Sequence, residues 1–164
     1  MILTSHALVG SALSNIVPNN PVIGFGLAFA SHYLIDAVPH RDYDIEDFID
    51  DETKTVKSIF HNAKAFLRFM LILGDFVFAL FICSLIFVHD EKSLYATMVG
   101  VAGGVLPDFL LFLAFKFKKS FWRYFYKVHN FFHSKDRMRD KLVRGISSQI
   151  LLPVLIILIY ILIK

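Results

Sequence analysis

Cysteine is almost missing from this chain. Cys83 stands alone in an apolar run, which excludes disulfides and cysteine-rich zinc sites and leaves an inert buried thiol. Charge is sparse as well: Asp, Glu, Lys and Arg make up 19% of the 164 residues. The sequence has no internal repeat and no low-complexity linker. No basic leader precedes the first apolar run, which carries His6, so that run is read as a working helix rather than a cleaved signal. Hydrocarbon fills the chain instead. Hydrophobic residues account for 56% and Phe alone for 18 positions, with a mean hydropathy of +0.59. A soluble globular chain is roughly 45–50% apolar. The class expected is therefore an integral membrane protein, one domain over residues 1–164.

Five apolar runs are legible. Residues 2–17 and 22–38 are rich in Ala, Gly and Ser, a composition suited to close helix packing, and a Pro18-Asn19-Asn20-Pro21 turn separates them. A third helix is expected over 56–88, amphipathic at first (Lys57, His61, Lys64, Arg68) and almost purely apolar from Phe69 onward. The fourth run, 94–115, is punctuated by Gly100, Gly103, Gly104 and Pro107. Such residues are tolerated in a spanning helix where packing or a polar site satisfies the backbone. The last run is 146–163. Residues 116–141 are basic and aromatic, with Trp122, Tyr124, Phe125 and Tyr126 among them, which fits a helix lying at headgroup depth. The expected fold is all-α: a polytopic membrane helical bundle with about five spanning helices plus one basic-aromatic interfacial helix.

Charge asymmetry orients that bundle. Residues 116–144 hold ten Lys/Arg and two acids, whereas 42–52 hold seven acids and no base. A basic segment flanking spans reads as cytoplasmic and suits anionic headgroups; a nucleic-acid partner is not expected of it. Alternating spans then put the N-terminus and the acidic loop on the same side, with His89 opposite. At a rise of about 1.5 Å per residue, His6, His32, Asp36, Asp75 and Asp108 all fall within roughly 15 Å of that one interface. His129 and His133 sit on the interfacial segment of the same side.

Ionisable groups are costly in a bilayer and mark functional sites by default, and His and Asp are common metal ligands. His32 and Asp36 are four apart and share a helix face, as are His129 and His133. His40 follows Asp36 by four more residues. Each feature also has a plainer reading. The His32–Asp36 pair can simply tie helices, Asp108 can cap a helix after Pro107, and Asp75 can bond a hydroxyl or a His on a neighbouring helix. Taken together, His6, His32, Asp36, His40, Asp75, Asp108, His129 and His133 are the expected metal ligands. Three ionised Asp residues are expensive unpaired. One divalent cation leaves them net negative, and two leave a slight positive charge suited to an anionic substrate.

The segment Ser31-His32-Tyr33-Leu34-Ile35-Asp36-Ala37-Val38-Pro39-His40 resembles the motif of the zinc-dependent phospholipase C and single-strand nuclease superfamily. With the leading Thr4-Ser5-His6 and Leu106-Pro107-Asp108, the chain is also similar to the membrane-bound metal-dependent hydrolases. The specific likeness covers about ten residues. It implies an all-α fold and a multinuclear zinc site, with two or three Zn2+, that cleaves phosphoesters. Departures are visible too: His133 ends the second helical motif where those enzymes carry an acid, and Met1 cannot replace their N-terminal Trp ligand.

The function expected is metal-dependent hydrolysis of a phosphoester, in particular a lipid, at the cytoplasmic leaflet. Asp36 and Asp108 are the expected catalytic carboxylates, with an Asp accepting the proton of an activated water. Two alternatives use the same residues: a metal ion or proton transporter, and a non-catalytic scaffold with a structural metal.

Overall fold

The computed structural model describes residues 2–43, 63–116, 120–135 and 142–163. These residues form six helices and no strand: α1 (Leu3–Ile16), α2 (Pro21–Asp36), α3 (Ala63–Phe87), α4 (Glu91–Lys116), α5 (Ser120–Phe132) and α6 (Leu142–Ile163). Of the expected polar start of the third helix, residues 56–62 with Lys57 and His61 lie outside the described residues, and Lys64 and Arg68 fall in the first turns of α3.

Local chemistry sets the boundaries. Asn20 caps α2 by accepting the Ile23 N–H at 3.1 Å, and Pro21 occupies the first turn, where its missing N–H costs nothing. At the α3–α4 turn, Asp90 Oδ1 accepts the Ser93 N–H at 2.7 Å, while Ser93 Oγ accepts those of His89 and Asp90. This reciprocal cap satisfies donors that α4 would otherwise leave open.

Apart from α5, the least apolar helix is the hub. α1 packs against α2, α3, α4 and α6 and buries Thr4, Ser5, Ser11, Ser14 and Asn15. Its polar groups are matched: Ser5 Oγ donates to the Gln149 carbonyl at 2.8 Å, and Asn15 Nδ2 to Thr97 Oγ1 at 2.9 Å. Small residues let the backbones close in. A Cβ on Gly10 or on Gly100 would strike the backbone of the other, one on Gly104 would strike the His6 carbonyl, and one on Gly103 would lie 2.8 Å from Ala28 Cβ. Large apolar side chains instead face outward. Leu67, Leu71, Phe78, Phe81 and Leu85 on α3, and Leu151, Leu155 and Leu162 on α6, are exposed. A polar, small-residue centre with a hydrocarbon exterior is the arrangement that lipid favours.

Three helices are long and apolar enough to cross a membrane: Ala63–Phe87, Glu91–Ala114 and Val143–Ile163. The expectation of about five is more than the structure supports. α1 and α2, with 14 and 16 residues, reach only about 21 and 24 Å against a hydrocarbon core of about 30 Å. They form a short hairpin against the longer helices, with α1 enclosed and α2 exposed along its outer face. α5, with 13 residues, is likewise shorter than the basic-aromatic stretch 116–141 that contains it.

Candidate metal centre

The antiparallel packing brings the start of α1, the end of α2 and the later turns of α4 to one end of the bundle, and α5 lies against α4 and α2. The Ser134 N–H donates to the Asp36 carbonyl at 2.8 Å, joining the end of α5 to the end of α2. His6, His32, His40, His129 and Asp36 are all buried there.

Their ligand atoms form two groups that share Asp36. The first is His32, Asp36, Asp108 and His129; the second is Asp36, His40 and His133. Within each, the donor atoms lie within 4.8 Å of one another. In the first, His32 Nε2 is 3.1 Å from Asp36 Oδ2 and 3.7 Å from Asp108 Oδ1, and His129 Nε2 is 3.6 and 3.9 Å from the same two oxygens. In the second, His40 Nε2 is 3.7 Å from Asp36 Oδ1. His6 Nε2 lies 3.2 Å from that oxygen too, its ring stacked on His32 at 4.0 Å between centroids. The two oxygens of Asp36 thus face different sets of imidazoles.

Three of those imidazoles are oriented by backbone carbonyls. The Nδ1 atoms of His32, His40 and His133 lie 2.8, 2.7 and 2.9 Å from the carbonyls of Gly104, Val38 and Ser134. A carbonyl only accepts, so each Nδ1 carries a proton, and in the neutral ring Nε2 is then a lone pair. Each of those Nε2 atoms faces carboxylate oxygen. The nitrogens His6 Nε2 and His32 Nε2 are buried without an aligned hydrogen bond despite that proximity. Donors around one ion at about 2.0–2.2 Å sit roughly 2.8–3.6 Å from each other. Most of the separations here are close to that spacing.

The Gly104 carbonyl, the acceptor for His32 Nδ1, lies one residue beyond the Gly103 carbonyl that Pro107, lacking an N–H, leaves without its helical partner. The absence of a side chain at Gly104 lets the His6 backbone lie against it. Asp108, on the following turn, keeps a quarter of its side chain exposed.

Asp42 was not expected in the site. Its Oδ1 is 2.8 Å from His40 Nε2 and 3.3 Å from His133 Nε2, giving the second group its own carboxylate. Burial alone would raise its pKa. Hydrogen bonds from His133 and His40 more than offset that and hold the carboxyl far below the usual range. Burial pulls His133 down, but Asp42 overcomes it and the net shift is upward. Burial dominates at His129 and lowers its pKa to about 4. The signal for Asp42 was the His40-Arg41-Asp42 spacing, since residues two apart in an extended chain point to the same side.

Asp75, expected as a ligand, joins neither group. Its oxygens accept the Thr4 N–H at 3.1 Å, the Thr4 hydroxyl at 2.6 Å and the Tyr43 hydroxyl. Tyr43 Oη in turn accepts the Leu3 N–H at 3.1 Å, and Gln149 Oε1 accepts that of Ile2 at 2.9 Å. A buried helix start must have its open N–H groups satisfied. α3, α6 and the loop after α2 supply those acceptors to α1. Asp75 is a cap delivered from another helix, so its carboxylate is engaged elsewhere. His89 is exposed at the far turn.

Comparison of the chain with protein-family models, curated proteins and solved structures gives no match.

Proposed function

We propose that this protein is a membrane-embedded, metal-dependent phosphoester hydrolase whose centre holds two divalent cations, zinc by its His/Asp donor set, bridged by Asp36. The observation that carries this reading is the convergence of imidazole Nε2 atoms on carboxylate oxygens, three of them on rings whose Nδ1 is held by a backbone carbonyl. Two acceptors about 3 Å apart repel unless a proton or a metal cation lies between them. His32, Asp108 and His129 would hold one cation, and His40, Asp42 and His133 the other, with His6 beside the bridge. Nitrogen and oxygen donors of this kind suit zinc. Bound in pairs, such cations polarise a phosphoester and lower the pKa of water.

The chain's own groups fit the rest of that chemistry. The partly exposed carboxylates are Asp108 and Asp42, so substrate reaches the centre from their side. Asp108 is placed to take the proton of the attacking water, and Asp36, at the centre, to hold the two halves in register. We place this end of the bundle at the cytoplasmic face, with the basic 116–144 segment. The α1–α2 hairpin returns to the side it starts from whether or not its turn reaches the far interface, so its short length leaves that orientation unchanged. A lipid phosphoester is the substrate expected at that depth. A relay through the membrane would need titratable groups in the other half of the hub. Among the described residues, Ser11, Asn15 and Thr97 lie there, neutral and bonded to one another or to backbone, which favours hydrolysis over transport.

Elemental mass spectrometry of the detergent-purified protein tests the reading, beside the His32→Ala/Asp36→Ala double variant. Two zinc per chain, lost in the variant, together with release of phosphate or headgroup from phospholipid, is the expected result. No metal in either sample after reloading would leave a polar network that only ties helices together.

A further inference from the structure

α5 carries one imidazole of each half of the centre, His129 and His133, the latter one residue past its end. It packs on α4 and α2, and at about 100° per residue its side chains fall into three sectors. Trp122, Phe125, His129 and His133 turn inward, and all are buried or half-buried. Phe121, Tyr124, Phe131 and Phe132 form a second sector, with Phe131 81% and Phe121 and Tyr124 each 65% exposed. Arg123, Lys127 and Asn130 form a third, polar and exposed. A helix of 13 residues has little stability of its own in water. Most of the apolar surface that would hold this one in place faces away from the protein.

We infer that an anionic lipid surface is the partner that seats α5, and that this seating completes the metal centre. The aromatic sector enters the boundary between headgroups and acyl chains, and Arg123 and Lys127 meet lipid phosphates. The charge favours lipid over a second copy of the chain, because the flanking 116–144 segment is strongly basic and would repel its own copy. Seating fixes where His129 and His133 stand, so metal affinity depends on the membrane although no lipid touches the metal. The inference rests on the metal reading above and adds a condition to it.

The full chain in nanodiscs provides the test, in phosphatidylcholine alone and in a three-to-one mixture with phosphatidylglycerol. Zinc affinity is read by competition with a chromogenic chelator. Seating is read separately from Trp122, the single tryptophan of the chain, by quenching with brominated lipid. Zinc should bind about tenfold more tightly in the anionic discs, with stronger Trp122 quenching. Phe121→Ser/Phe131→Ser should weaken zinc binding in both lipids, and Arg123→Gln/Lys127→Gln should remove only the anionic gain. Equal zinc affinity in both lipids and in all variants would overturn the coupling while leaving the metal reading intact. Variants that instead change the number of chains per particle would assign the aromatic face to a second copy and overturn it too. No zinc in any lipid would overturn the metal reading and the coupling with it, and Trp122 quenching would then report seating alone.

Discussion

Gly104→Ala asks whether the close approach of two backbones builds the centre. The added Cβ would collide with the His6 carbonyl oxygen and sit 3.0 Å from its carbon. Both atoms are backbone, so no side chain can rotate away, and α1 must move off α4. Restoring ordinary contact at about 3.5–4.0 Å requires a shift on the order of 1 Å. Overpacking of this kind costs about 1–3 kcal/mol. The displacement also acts on the site. It carries His6 away from Asp36 and disturbs the carbonyl that orients His32. Losing such an orienting partner typically weakens metal binding by about 10–100-fold. Gly26→Ala is the control, because a Cβ there meets nothing within 4 Å. On helix propensity it should be neutral or stabilise by up to about 1 kcal/mol. Thermal unfolding in detergent and zinc titration against a chelator read both quantities. The expected result is a lower melting temperature and weaker zinc binding for Gly104→Ala, with Gly26→Ala at least as stable as wild type. If both variants behave alike, backbone proximity does not build this site and the reasoning fails.

Asp36→Asn should abolish hydrolysis and reduce zinc below two per chain, and wild-type turnover in that variant would contradict the bridging role. Asp75→Asn should lower stability by about 0.5–2 kcal/mol, the usual worth of a cap, with zinc stoichiometry unchanged; loss of a zinc would make Asp75 a ligand after all. Asp42→Asn should weaken the second zinc and spare the first, which a two-step titration resolves. In metal-free protein, His129 has a folded pKa of about 4, below its unfolded value of about 6.5. Stability should therefore fall as pH drops from about 6.5 toward 4. His133 is shifted upward, so its contribution is complete below about 6.5 and is lost as pH rises through the folded value. A melting temperature that peaks near neutrality is expected, and a steady rise into alkaline pH would refute the assignment.

Much of this arrangement was legible in the sequence because helices turn spacing into geometry. The His32–Asp36 interval needed only the 3.6-residue turn to put both on one face, and the gathering of His6, Asp36 and Asp108 at one end of the bundle needed only the rise per residue and the alternation of helix directions. The hairpin was legible from Pro18 and Pro21. Span number was less so. Residues 2–17 and 22–38 are apolar enough to suggest crossing, but apolarity does not say whether lipid or other helices surround a segment, and α1 is enclosed by four of them. Asp75, which lies in neither ligand group, was hard to read for a related reason. A lone acid in an apolar helix must find a partner, and the sequence does not say that the start of another helix, with its open N–H groups, would present itself first. Asp42 looked like one acid among seven in a solvated loop. The His40–Asp42 interval was its one local trace, and the neighbouring Tyr43, which bonds both Asp75 and the start of α1, holds it in place.

The exchange of Asp75 for Asp42 leaves the charge count unchanged and alters where the charge sits. Asp36, Asp42 and Asp108 supply three negative charges, and two divalent cations would supply four positive ones. The net charge of about plus one is still suited to a phosphate. With Asp75 the third carboxylate would have stood on a lipid-facing span. With Asp42 it stands in the loop after α2, a fifth exposed, on the same side as Asp108. In the proposed centre, the two carboxylates that each belong to one half are the partly exposed ones, and the shared Asp36 is buried. A bridging group must be held from all sides, whereas a group that exchanges protons with water must be reachable. Burial is divided among the three acids along that line. A site that only tied helices together would have no need of the division, because its carboxylates would be most stable when all were enclosed and bonded.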